Sequence, residues 1–159
     1  MADPTDASND ALARVSAMMK FTPQARALGI EVTRIETGRC WGRTPYRDEL
    51  VGDPDTGVIA GGVVTTFLDQ LCGVAAVAAQ ALPTSVATID LRIDYMRPAE
   101  PGRDVLAEAH CYKLTRHVAF VRAVAYETSA DDPIAHAVAT FMLDSSAGRS
   151  AGANYKAKR

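Results

Sequence analysis

One carboxylate stands alone in a long apolar run. From Gly61 to Leu82 the chain reads GGVVTTFLDQLCGVAAVAAQAL, and Asp69 is its only charged residue. Burying an ionised carboxylate without partners is costly. Such a group finds donors, shifts its pKa, or is there for chemistry, which for a carboxylate means taking a proton or attacking an electrophile. The plain alternative is a hydrogen bond to a neighbouring group or a wet helix edge, because structural networks also hold carboxylates.

Other chemistries lack their parts. His110, His117 and His136 fall on three separate strand-like segments without paired-ligand spacing, so no metal site is expected. Cys40, Cys72 and Cys111 are far apart, form no CxxC pair and read as small buried residues of a reducing compartment. There is no G-x-S-x-G elbow for a serine hydrolase, and GVIAGGV has neither the spacing nor the lysine of a phosphate loop. A dehydratase-type His ahead of the long helix is missing, since no His precedes residue 110. Arg92 with Asp90 or Asp94 reads as an ion pair, and Trp41 as a core or interface residue.

The element that must carry Asp69 is a helix. Ala, Leu and Val dominate the run, glycines open it, and no proline interrupts it before Pro83. On a 3.6-residue period Gly62, Thr65, Thr66, Asp69 and Gly73 fall within a wedge of roughly 100°. That stripe is expected to line a crevice or a subunit contact. Thr65 and Thr66 either touch a ligand there or bond back to the preceding turn.

Strands flank the helix. Asp10 to Lys20 has weak amphipathic helix character that ends near Thr22-Pro23, after which Leu28 to Ile35 and Arg39 to Pro45 read as strands joined at Thr37-Gly38. Leu50 to Gly57 is dense in turn formers. From Val86 to Arg97 the residues alternate, with Ala87, Ile89, Leu91, Ile93 and Tyr95 on one face and Thr88, Asp90, Arg92 and Asp94 on the other. Asp104 to Leu114, His117 to Tyr126 and Ile134 to Leu143 complete the strands. One long helix and an antiparallel sheet cover each other most simply when a curved sheet wraps the helix, an α+β architecture.

Composition narrows the partners. The 159 residues suit one domain, and a net charge of −2 gives no electrostatic reason for nucleic acid. The start, MADPTDASNDALARV, is acidic and polar rather than signal-like, so a cytoplasmic location is expected. Val63 to Leu82 carries Asp69 and Gln70 and lacks flanking Lys or Arg, which argues against a membrane span.

Four features in order carry a resemblance: Gly61-Gly62 followed seven residues later by Asp69, then VATIDLRIDYMRPAEPG, then Leu114-Thr115-Arg116, then AHAVATFML. Together they resemble the hotdog-fold acyl-CoA thioesterases of the phenylacetic-acid-degradation (PaaI-like) type, relatives of one class of 4-hydroxybenzoyl-CoA thioesterase, over Leu28 to Leu143. The resemblance implies a hotdog domain over 23–144, preceded by a tail and short helix over 1–22 and followed by a disordered tail over 145–159.

It also implies roles. Asp69 would be nucleophile or general base against an acyl-CoA thioester, and the Gly61 N–H would polarise the carbonyl from the opposite subunit of a homodimer, with pairing into a dimer of dimers left open. Gly62, Thr65, Thr66 and Gly73 would line the substrate. Arg97, Arg116 and His117 would lie toward the nucleotide end of CoA, which belongs to the substrate, so no cofactor is expected. Helix geometry agrees with the dimer, because eight residues separate Asp69 from Gly61 by about 12 Å in one chain. Where the family commonly has His or Asn before the glycine pair, this chain has Ala60. The alternative function is therefore a weakly active or non-catalytic acyl-CoA binder.

Overall fold

The computed structural model of the chain describes Asp10, Ala13, Arg14, Ala17 and residues 22–81 and 85–143. In chain order these hold helix α1 (Pro23–Leu28), strands β1 (Glu31–Glu36) and β2 (Arg39–Thr44), a 3-10 turn (Asp48–Leu50), and short strands β3 (Val51–Asp53) and β4 (Val58–Ile59). Helix α2 (Gly61–Ala78) follows, then β5 (Val86–Tyr95), β6 (Val105–Leu114), β7 (Val118–Tyr126) and β8 (Ala135–Leu143). Six strands form one antiparallel sheet in the order β1-β2-β6-β7-β8-β5, while β3 and β4 pair with each other.

The sheet curves around α2 because its inner face is small. Ala107, Ala109, Ala119, Ala123, Ala125, Ala135, Ala137 and Ala139 are all buried there, and Phe67, Leu68 and Leu71 of α2 are fully enclosed against them. Gly42 of β2 belongs to the same fit, since an added Cβ would stand 2.7 Å from the Glu31 carbonyl oxygen and 2.8 Å from Leu71 Cδ1. Truncating Phe67 to Ala would leave a cavity costing about 3–5 kcal/mol. Among the described residues α2 is also the one helix long and apolar enough to cross a membrane. Here it is the core helix.

Strand β5 corrects the simple alternation. Its register against β8 shifts between Thr88 and Asp90, so Ile89 is the bulged residue and is 53% exposed. A bulge adds one residue to one strand and so reverses which parity faces inward. Val86 packs against the core before the bulge, Leu91 and Ile93 after it. Thr88 thereby joins the helix-facing side that the sequence pattern assigns to Ile89.

Two local expectations also change. Thr22-Pro23 opens a helix that the sequence reading did not expect: Thr22 is the N-cap of α1, Pro23 lies in its first turn, and Gly29 closes it at φ 67°, while the end of the preceding segment lies outside the described residues. The turn-rich stretch after Leu50 holds the β3–β4 ribbon around a turn from Asp53 to Gly57. Asp10, Ala13, Arg14 and Ala17 are helical, and Arg14 pairs with Asp10 at 2.7 Å. The helical run expected to reach Leu82 ends instead at Ala78, with Ala79 as its C-cap. The rest of the expected N-terminal segment and the tail over 145–159 lie outside the described residues.

Candidate active site

Along α2 the buried residues Val63, Val64, Phe67, Leu68, Leu71 and Cys72 alternate in pairs with the more open Gly61, Gly62, Thr65, Thr66, Asp69, Gln70 and Gly73. This is the small polar stripe expected from the sequence. It runs beside β5, whose outer edge is unpaired among the described residues.

Asp69 is half-buried, and the Thr88 hydroxyl donates to its Oδ1 at 2.9 Å. Strand β5 therefore gives the carboxylate of the stripe a donor and leaves it open on one side. At the helix start Ala60 is the N-cap, with φ −58° and ψ 133° and no side-chain cap. Val63 N–H returns to the Ala60 carbonyl at 2.9 Å, whereas the exposed Gly61 and Gly62 donate their N–H groups to no acceptor among the described residues. Unpaired donors and the positive end of the helix dipole together favour an oxygen that gathers negative charge.

Tyr95 holds this first turn. Its hydroxyl donates to the Gly61 carbonyl at 2.6 Å and lies 2.8 Å from Thr65 Oγ1. A hollow of about 380 Å³ opens beside it, with Gly61, Val64, Tyr95, Met96 and Ile134 among its walls. Thr65 and Thr66 also bond back to the carbonyls of Gly61 and Gly62, at 3.1 and 2.9 Å. Farther along, a Cβ at Gly73 would meet only ordinary contacts, Phe141 at 3.6 Å and Val86 at 3.8 Å.

The structure separates the residues expected at the nucleotide end. Arg97 follows the C-terminal end of β5, beside Gly61, and all five of its N–H donors are engaged. Two go to the Glu127 carboxylate, at 2.6 and 3.2 Å, one to Asp132 Oδ1 at 3.1 Å, and two to the carbonyls of Asp132 and Pro98. Burial would raise the Glu127 carboxyl, but the Arg97 hydrogen bonds and charge together with the Glu100 N–H hold it below its usual value. Arg97 is thus a structural anchor of the β5 end. Arg116 and His117 are exposed in the β6–β7 hairpin, where the His117 carbonyl accepts from Leu143 N–H at 2.8 Å. Leu143 is opposite Val86, so within one chain this hairpin and Arg97 lie at opposite ends of β5.

Thiol chemistry is disfavoured where burial is complete. Burial pushes Cys40 and Cys72 up to about 12, with the Asp69 charge adding to the effect at Cys72, so both stay protonated at neutral pH. Among the described residues no three His, Cys, Asp or Glu side chains converge as metal ligands. Thr88 and Tyr95 are the site residues that sequence reasoning missed. The signal for Thr88 was hidden by the bulge, and Tyr95 read only as an inward residue of an alternating strand.

A curved antiparallel sheet around one helix, with its polar stripe at an open strand edge, is the hotdog architecture. The thioesterase superfamily model matches residues 56–131. A candidate esterase of Halobacterium salinarum is 32% identical over 105 residues, 64% of this chain and 68% of that protein. A Pseudomonas aeruginosa protein of known crystal structure shares 37% identity at a TM-score of 0.77, covering 84% of this chain and 99% of its own. The E. coli PaaI protein from the phenylacetic acid degradation operon shares the fold, at a TM-score of 0.75 and 16% identity over 86% of this chain and 95% of its own. This chain belongs to the thioesterase superfamily, and that membership supports thioester hydrolysis as its general reaction.

Proposed function

We propose that the chain is a cytoplasmic acyl-CoA thioesterase that works as a homodimer and needs no cofactor beyond the CoA of its substrate. The observation that carries the reading is the pairing of a half-buried Asp69, oriented by Thr88, with uncapped N–H donors at Gly61 on the same helix stripe. About 12 Å of helix separates the two in one chain, too far for a shared carbonyl. A two-fold copy closes the gap. If the free edge of β5 pairs antiparallel with its copy about a point between Leu91 and Arg92, Thr88 stands opposite Tyr95 of the partner subunit. That register carries the Asp69 region toward the helix start of the other chain.

The thioester oxygen then meets the Gly61 N–H while Asp69 of the partner subunit attacks the carbonyl carbon or takes a proton from an attacking water. Collapse of the tetrahedral species expels CoA thiolate, which leaves as the thiol after protonation. In the attack route, water next hydrolyses the acyl-aspartyl anhydride. The same register carries the hairpin with Arg116 and His117 of the partner subunit toward the Gly61 end, where they are available to the CoA phosphates. Gly62, Thr65, Thr66 and Gly73 line the acyl side, and the engaged Arg97 shapes the end wall.

Thiol release from a panel of aryl- and aliphatic-CoA esters, run for wild type and Asp69→Ala, tests this. Turnover of at least one ester by wild type and a loss of roughly 100-fold in Asp69→Ala support it. Binding of CoA esters by both proteins with turnover by neither would make the chain an acyl-CoA binder, with Ala60 marking a lapsed site.

A further inference from the structure

The sheet face turned away from α2 carries three basic side chains in one cross-strand row. Arg39 on β2 is opposite His110 on β6, and His110 is opposite Arg122 on β7. Opposed Cβ atoms lie about 5 Å apart, where like charges destabilise a sheet. Carboxylates would ordinarily answer such a row.

The nearest ones do not pair with it. Glu36, opposite Arg39 on β1, pairs with Arg34, while Glu108, which borders the same hollow, accepts the Trp41 indole N–H at 3.0 Å and keeps its charge without an ion-pair partner among the described residues. At the far wall Asp94, opposite His136, pairs with Arg92. No ion pair joins Arg39 or Arg122 to a carboxylate among the described residues. The Arg122 guanidinium instead lies 4.3 Å from the centre of the Tyr112 ring.

These side chains border a hollow of about 450 Å³, within the size range of small-ligand sites. Its floor includes Val124, which is 8% exposed yet stands outside the main core cluster. His110 is half-buried, and burial followed by the charges of Arg39 and Arg122 lowers its pKa. The lining therefore sets two guanidinium groups against the single Glu108 carboxylate, a net positive balance.

We propose that this hollow binds a phosphate group, with Arg39 and Arg122 as its charge partners and His110 as a hydrogen-bond donor between them. Guanidinium groups match phosphate oxygens in geometry and charge. A hollow this large has room for a small phosphorylated molecule around the anion. The site lies on the opposite side of the sheet from α2 and does not rest on the thioesterase reading.

Calorimetric titration with inorganic phosphate and, separately, with adenosine 5′-monophosphate tests the inference, using wild type, an Arg39→Gln/Arg122→Gln double variant, and Asp69→Ala. Wild type and Asp69→Ala are expected to bind at least one probe with a Kd of about 1 mM or tighter. The double variant is expected to bind it at least about tenfold more weakly. Both arginines are exposed, and unchanged thermal unfolding of the double variant separates lost binding from lost folding. Equal affinity for the two probes assigns the site to the free anion, and tighter binding of the monophosphate assigns it to a phosphate ester. No saturable binding of either probe to about 10 mM, or equal binding by the double variant, overturns the inference. A double variant that changes only its oligomeric state would make the face a contact between copies, which also overturns it.

Discussion

The Thr88 hydroxyl donates to Asp69 Oδ1 at 2.9 Å because a bulge at Ile89 turns Thr88 toward α2. A hydroxyl in that position fixes one carboxylate oxygen and leaves the other available for the proposed chemistry. Thr88→Val removes the donor at nearly constant volume. Turnover is expected to fall about tenfold, with Thr88→Ser close to wild type, since hydrogen bonds to charged groups contribute about 1.5–3 kcal/mol. Steady-state kinetics on the best ester of the panel checks this, and equal turnover in Thr88→Val would leave Thr88 with a packing role only.

Gly61→Pro isolates the backbone donor. Proline is favoured in the first turn of a helix, and Ala60 already has the extended backbone that precedes proline. The variant is expected to fold and to lose about 100-fold or more in turnover. Circular dichroism alongside thiol release separates the two effects.

The proposed site split between chains predicts complementation. Asp69→Ala and Gly61→Pro chains, each inactive alone, are expected to regain about one quarter of wild-type activity when unfolded together, mixed equally and refolded, because half the dimers carry one intact site. Recovery no greater than the sum of the separate variants would place both groups in one chain's site.

Gly73→Ala is expected to stabilise the chain by about 1 kcal/mol, since the helix interior gains an alanine. Its Cβ meets Phe141 and Val86 at ordinary distances, so no packing cost offsets the gain. Chemical denaturation measures the difference directly.

The Arg97–Glu127 pair predicts an acid limit. The Glu127 carboxyl lies below its ordinary 4.5 in the folded chain, so its contribution is complete above that value and is lost as pH falls through the lower folded value. Melting temperatures of wild type and Glu127→Gln are expected to differ most at neutral pH and to converge in acid. A gap that stays constant down to strongly acid pH would assign the difference to something other than this ionisation.

The sequence made the central features legible where one element carried its own pattern. Asp69 stands out because α2 is apolar elsewhere, and its open stripe follows from the helical period. The alternation of β5 was legible only as far as its bulge, since the extra residue shows itself through pairing with β8 rather than through residue type. Arg97 illustrates a second limit: its partners Glu127 and Asp132 are 30 and 35 residues away in the chain. A charge at a strand end does not reveal whether it is free. Pro23 shows a third, because the same residue ends one helix or opens the next.

The alanine-lined inner sheet has a consequence for how this scaffold diversifies. With α2 seated so closely on β6, β7 and β8, the proposed acyl-CoA reading leaves the acyl chain the outer stripe rather than the helix–sheet interior. On that reading, the residues that hold the fold together are largely separate from those proposed to sort substrates. Descendants of such a chain are free to change what they accept through stripe and edge substitutions, at little cost to the packed interior.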